Sequence, residues 1–258
     1  MKFFDTHCHI HFADFGLPAD QVYQSARDNN VPYMLAVGCT IEDSRSGARF
    51  AEDYEGVWAA VGLHPHEAKH YDGNDEVFDE VSKLAQQEKV VAIGECGLDY
   101  YYEHSPKTAQ IAVFERQLQI AQDADLPISF HVRDAFDDFL PIIANFPNVR
   151  GVVHSFTAGV KVMHRLLDKG FYLGLNGIMT FTKDEAQLAM ARAVPLEKML
   201  LETDAPFLTP KSFRGNICEP KYVVETGKFL AELRGETVEA IASATTQNAS
   251  RLFAVPQE

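Results

Sequence analysis

Paired cysteines are missing from this chain. Cys8, Cys39, Cys96 and Cys218 lie far apart with no Cys-x-x-Cys spacing, so reduced thiols are the expectation. Equally absent is any uninterrupted apolar run near the ~20 residues that a membrane-spanning helix needs. No Gly/Ser linker or low-complexity tract divides the 258 residues, 46% of them hydrophobic and 23% charged. That predicts a single domain over residues 1–258, close to the about 250 residues typical of an α/β barrel. Met1-Lys2 runs straight into an apolar strand and not into a leader peptide, which together with reduced thiols predicts a cytoplasmic protein. Positive charge is also scarce. Lys and Arg number 23 against 37 Asp and Glu, and a net charge of −14 argues against broad, sequence-independent wrapping of nucleic acid. It does not exclude a phosphodiester held locally, because bound divalent cations reverse the field inside one pocket.

What is present is a repeated alternation of short apolar runs, polar loops and amphipathic stretches. The runs predict strands at 3–9, 32–38, 57–62, 90–94, 127–131, 150–154, 171–175 and 199–204. Helices are expected at 19–30, 42–54, 75–87, 106–124, 134–145, 160–168, 220–233 and 236–253, with Ser105 as N-cap and Pro106 in the first turn of the fourth. Eight strands alternating with helices imply parallel pairing through right-handed crossovers. Strands apolar on both faces suit a sheet buried on both sides. A closed (β/α)8 barrel is the natural product and a doubly wound open sheet the alternative.

Polar residues fall at the C-terminal end of strand after strand. His7 and His9 end the first, His64 follows the third and Glu95 ends the fourth. His131 ends the fifth, His154 the sixth and Asp204 the eighth. In a closed barrel those ends line the face where barrel active sites lie. A lone strand-end histidine is an ordinary loop residue; His7, His9, His131 and His154 together with Glu95 and Asp204 predict a metal centre. Four imidazoles and two carboxylates exceed one tetrahedral ion and suit two divalent ions, with Glu95 able to bridge them. Mixed nitrogen and oxygen donors leave zinc, manganese, cobalt, iron and magnesium open. Alternation along the strand aims Cys8 and Cys96 to the opposite face. Such a centre generates hydroxide as nucleophile at neutral pH, and Asp204 is placed to accept the water proton and pass it to the leaving group. Glu202, two residues earlier on the same face, either assists a further metal or water or is a buried acceptor.

The stretches Asp5-Thr6-His7-Cys8-His9, Gly62-Leu63-His64-Pro65-His66, Gly94-Glu95-Cys96-Gly97-Leu98-Asp99-Tyr100, His131-Val132-Arg133-Asp134-Ala135, His154-Ser155-Phe156-Thr157 and Leu201-Glu202-Thr203-Asp204-Ala205-Pro206 together resemble the TatD family of metal-dependent deoxyribonucleases, within the amidohydrolase-like barrels. They span nearly the whole chain in the family's order. The resemblance implies a TIM barrel and metal ligands at His7, His9, Glu95, His131, His154 and Asp204. It implies hydrolysis of DNA phosphodiesters, commonly from a 3′ end, with magnesium, manganese or zinc. It also places His64, His66, Asp99 and Arg133 on the substrate side. Two departures bear on substrate preference: His11 stands where the family usually has an acidic residue, and Cys218 takes the Asn position of the Arg214–Pro220 stretch.

Around that set, His64 and His66 flank Pro65 and read either as a rigid turn or as donors to a phosphate. Arg133 either meets a phosphate oxygen or pairs with Asp134 or Asp137. Tyr100, Tyr101 and Tyr102 offer a stacking surface for a base or the packing of a loop lid; His70, His104 and His164 receive no role. The expected protein is a phosphodiesterase with two divalent ions acting on DNA, a 3′–5′ exonuclease on single-stranded or frayed ends, with no membrane and no obligatory protein partner. The alternatives are another bond on the same site (an aminoacyl-tRNA ester, an amide or a lactone) and a non-catalytic metal-binding protein. No Lys ends a central strand, so the carbamylated lysine of cyclic-amide hydrolases is not evident, which favours phosphodiesters.

Overall fold

Runs of Val, Ile, Leu, Ala and aromatic residues bounded by Gly, Pro, Asn or Asp become strands because they suit a pleated surface buried on both faces. In the computed structural model, which describes residues 1–256, they are β1 (Phe4–Cys8), β2 (Tyr33–Val37), β3 (Val57–Val61), β4 (Val90–Asp99), β5 (Ile128–Arg133), β6 (Gly151–Val153), β7 (Tyr172–Leu175) and β8 (Met199–Leu201). The helices are α1 (Ala19–Asp28), α2 (Ile41–Asp53), α3 (Ala68–Tyr71), α4 (Asp75–Leu84), α5 (Lys107–Ala124), α6 (Phe136–Ala144), α7 (Val160–Leu167), α8 (Glu185–Ala193), α9 (Val223–Arg234) and α10 (Val238–Phe253). Several begin on side-chain caps: Thr40, Asp184 and Thr237 accept from the amides of Asp43, Ala186 and Ala240 at 3.1, 2.8 and 3.1 Å.

The strands form one sheet in the order β1 to β8, and the pairs β3–β4, β4–β5, β5–β6 and β7–β8 run parallel. Past β8, a parallel bridge joins Ala205 to Cys8 of β1. The first strand is thereby tied to the segment leaving the last. Sequential order with this closure is the (β/α)8, or TIM, barrel; a doubly wound sheet reverses its order partway. The expected fold is the observed one.

The chain packs as two compact units, Met1–Leu35 with His154–Glu258 and Ala36–Val153. In the first, Phe4 meets Phe253 at 6.2 Å and Tyr33 at 5.9 Å between ring centroids, and Phe3 packs where Gly227 of α9 leaves room. In the second, Phe114, Phe130 and Phe139 bring α5, β5 and α6 together at 5.2–6.1 Å. Each ring of that trio is fully buried and contributes about 1.5–3 kcal/mol. Among the described residues no helix is long and apolar enough to cross a membrane. All four cysteines are free thiols.

Four local expectations need correction. β4 does not stop at Gly94 but continues to Asp99, with a register shift against β5 between Ile93 and Cys96. Glu95 therefore sits inside a strand at an irregularity, and Asp99 ends it. Likewise His131 is two residues from the end of β5. Ser105 does not cap α5: its hydroxyl donates to the His66 carbonyl at 2.6 Å and accepts from the Lys69 amide at 3.1 Å. Finally, α8 fills the connection between β7 and β8 where no helix was expected.

Candidate metal centre

In the first unit, β1 and the segment after β8 are laced together. The Asp204 amide donates to the His7 carbonyl and the His9 amide to the Ala205 carbonyl, each at 2.8 Å. The Asp5 carboxylate accepts from the Thr203 amide at 2.8 Å and from its hydroxyl at 2.5 Å. Burial pushes the Asp5 carboxyl well up against the opposing effect of those bonds. This lacing fixes Asp204, whose φ of 62° is a left-handed conformation that ordinary residues avoid. Its Oδ1 lies 3.4 Å from His9 Nε2 and 3.7 Å from His7 Nε2. Burial alone would raise the Asp204 carboxyl, but close approach of His9 and the positive fields of His154 and His7 outweigh it and hold the group low.

The His154 ring stacks on His7 with centroids 3.9 Å apart, and its Nδ1 lies 3.3 Å from Glu202 Oε1. Glu202 is buried and accepts from the Ser155 amide at 2.6 Å and the Asn176 side chain at 3.3 Å. Its Oε2 is buried with no hydrogen-bond partner. A Cβ at residue 174 would collide with that oxygen, so Gly174 of β7 is what makes room for it.

In the second unit, Glu95 is buried, and its amide donates to the Gly38 carbonyl at 2.9 Å. Its Oε1 lies 2.7 Å from His131 Nδ1 and 3.5 Å from His64 Nε2. His131 Nε2 reaches Asp99 Oδ2 at 2.9 Å, and His66 Nε2 meets the same oxygen at 2.9 Å. Burial would raise Asp99, but the hydrogen bonds from His131, His66 and the Tyr102 amide outweigh it and keep the carboxyl far below the usual range. Gln110 on α5 clamps the backbone of Asp99, accepting from its amide at 2.8 Å and donating to its carbonyl at 2.9 Å. Gly97 is required where β4 runs beside His131, because any Cβ there would strike the His131 carbonyl.

His64 is a neutral imidazole near pH 7. Burial lowers its pKa to about 4, against the raising influence of Glu95. Its Nδ1 accepts from the His66 amide at 3.2 Å, which puts the ring proton on Nε2, facing Glu95. Arg133 forms no ion pair with Asp134 or Asp137 among the described residues; its guanidinium lies over the rings of Tyr101 and Tyr102. His11 is buried and neutral, lowered to about 3 by burial and then by His9. Cys218, the other departure, is buried with its amide donating to Pro206.

The donor sets fit divalent cations. Metal–nitrogen and metal–oxygen bonds of about 2.0–2.2 Å place two ligands of one ion roughly 3.0–3.5 Å apart. The His9–Asp204 pair, at 3.4 Å, matches that edge length. Donor atoms of His7, His154 and Glu202 in the first unit, and of His64, His66 and His131 in the second, each fall within 4.8 Å of one another. Burial pushes the Cys8 and Cys96 thiols up, which disfavours their thiolates, and Cys8 Sγ donates to the Leu35 carbonyl at 3.5 Å.

The sequence-marked residues thus gather within each unit: His7, His9, His154, Glu202 and Asp204 in the first, His64, His66, Glu95, Asp99, His131 and Arg133 in the second. Sequence reasoning missed Asn176, Ser155 and Gln110. Asn176 had a signal, since it directly follows Leu175 at the end of β7, the one late strand to which no polar residue was assigned.

The profile described as TatD related DNase matches residues 4–254. An uncharacterized metal-dependent hydrolase, YabD of Bacillus subtilis, is 37% identical over 254 residues, covering 98% of this chain and 99% of its own. The 3′-5′ ssDNA/RNA exonuclease TatD of Cronobacter sakazakii is 34% identical, covering 97% of each chain. Among solved structures, the TatD homologue YjjV of Escherichia coli superposes with a TM-score of 0.91 at 29% identity over 98% of both chains.

Proposed function

This chain belongs to the TatD-related DNase family and is a metal-dependent hydrolase, and from that premise we propose that it hydrolyses phosphodiester bonds, releasing nucleotides from the 3′ end of single-stranded or frayed DNA. The observation that carries the reading is the gathering, within each unit, of imidazole and carboxylate donors, with His9 and Asp204 at ligand-edge spacing. The proposed ligands are His7, His9, His154 and Asp204 within the first unit and, within the second, Glu95 and His131, a donor number that suits two ions. The relative from Cronobacter sakazakii, named as an exonuclease on ssDNA and RNA, supports the choice of bond and polarity.

When bound, two divalent ions such as magnesium, manganese or zinc polarise a phosphoryl oxygen and acidify a water molecule. The protein's own residues do the rest. Asp204, kept ionised among His7, His9 and His154, accepts the proton of the attacking water and returns it to the leaving alkoxide. Glu202, 3.3 Å from His154 Nδ1, is placed to orient that imidazole. Asp99 does the same for His131 through Nε2, which orients Nδ1 beside Glu95.

The test is nucleotide release from an end-labelled single-stranded oligonucleotide by purified protein with magnesium or manganese. Shortening that stops with chelator and with Glu95→Ala supports the proposal, and labelling each end in turn reads the polarity. Full metal loading without cleavage of DNA or RNA would redirect the assignment to ester or amide substrates.

A further inference from the structure

Most large apolar side chains of this protein are hidden, yet Tyr101 and Tyr102, at the turn leaving β4, are 57% and 49% exposed. They are not a loose tip. Their rings meet edge to face at 4.8 Å, and the Arg133 guanidinium at the end of β5 lies 4.2 Å from the Tyr101 centroid and 4.8 Å from that of Tyr102. Exposed aromatics covered on one side by a guanidinium make a preformed π surface that carries positive charge. In a chain of net charge −14, such a surface is where an anionic, planar ligand gains most.

Its position is set by one carboxylate. Asp99 Oδ1 accepts from the amides of Tyr101 and Tyr102 at 3.0 and 2.9 Å, while Asp99 Oδ2 binds His66 and His131, both at 2.9 Å. The fully buried Asp99 therefore couples the aromatic turn to two imidazoles of the candidate centre. A lid would hide its rings against the protein; here the turn is anchored from beneath, Tyr102 stacks on His104 at 5.6 Å and meets His66 edge to face at 5.5 Å, and both tyrosines remain exposed.

Resting on the phosphodiesterase reading, we propose that Tyr101, Tyr102 and Arg133 form a stacking subsite for an unpaired nucleobase of the substrate strand, with Arg133 also drawing its phosphate. Every base has a π face, so the subsite is tolerant of sequence. In a duplex that face is covered by neighbouring pairs. The subsite accordingly selects single strands and frayed ends over closed duplex.

The test uses the metal-loaded protein in two arms. The first is the dissociation constant, by fluorescence anisotropy on ice, for a labelled phosphorothioate oligothymidylate and for a matched oligomer with abasic residues at its 3′ end. The second is KM and kcat on the unmodified oligomer. Wild-type protein is expected to bind the intact strand about 5- to 150-fold more tightly than the abasic one, the loss that removing a base stack produces. Tyr101→Ala/Tyr102→Ala should abolish that preference and raise KM by a similar factor with kcat unchanged within about twofold, the pattern of lost uniform binding. Tyr101→Phe/Tyr102→Phe should restore it. Equal wild-type affinity for intact and abasic strands, or an alanine variant that keeps the preference, overturns the subsite. Base-dependent binding without any cleavage would refute the phosphodiesterase reading and leave the subsite standing; no binding at all would overturn the subsite.

Discussion

In the first unit the closest approaches between imidazole and carboxylate are 3.3 to 3.7 Å. In the second they close to 2.7–2.9 Å, with only His64 and Glu95 standing 3.5 Å apart. The first set is looser than hydrogen bonding, and its His9–Asp204 pair has the spacing of ligands that share a cation. The second is already knitted by hydrogen bonds through Asp99 and Glu95. On the reading proposed above, a cation would offset the proximity of the buried groups in the first unit, while in the second, hydrogen bonds already hold the imidazoles of His66 and His131.

The largest effect that would sharpen this contrast is on turnover. Asp204→Ala removes the proton acceptor together with the group nearest His7 and His9, and kcat should fall by about 10²–10⁴-fold; a variant retaining near-wild-type kcat would remove Asp204 from the chemistry. Next comes Glu202→Gln, nearly isosteric, which replaces the acceptor of the Ser155 amide and the Asn176 side chain, 3.3 Å from His154 Nδ1, with a group that is half donor. It should weaken metal affinity about 10- to 100-fold by equilibrium dialysis. Asp99→Asn strikes the hydrogen-bonded region instead. Loss of the charge shared by His66 and His131 should lower stability by about 1.5–3 kcal/mol in denaturant titration, with a smaller change in metal affinity than Glu202→Gln produces. If the two variants changed metal affinity equally, the contrast between the units would be broken. The smallest effect concerns the thiols. Burial raises Cys8, Cys96 and Cys218, so at pH 8 these three should resist alkylation in the folded protein and react on unfolding, as peptide mass mapping would show.

The barrel was legible because each strand is a short apolar run with its own punctuation, and because polar residues recur at equivalent ends. What escaped reading depends on contacts distant in the chain. The extension of β4 to Asp99 rests on pairing with β5 across a shifted register, and nothing in Glu95-Cys96-Gly97-Leu98-Asp99 alone announces it. Ser105 has the appearance of a cap, but the His66 carbonyl claims its hydroxyl. Helix α8 carried a usable signal, Asp184 ahead of an Ala- and Leu-rich stretch, that was passed over. Of the site, the metal-type residues were visible from spacing. The partners that orient them were not, since Asn176, Ser155 and Gln110 are of residue types common in any loop or helix. Arg133 shows the same limit. Its sequence neighbours Asp134 and Asp137 suggest a salt bridge, while the fold turns it onto two tyrosines.

Metal content tests the central claim most directly. Protein stripped with chelator, reloaded with manganese and freed of excess should carry about two ions per chain, and Asp204→Ala and Glu95→Ala should each lower that occupancy. A wild-type chain that binds no manganese, zinc or magnesium under these conditions would contradict the account, because the gathered imidazole and carboxylate donors would then serve no cation.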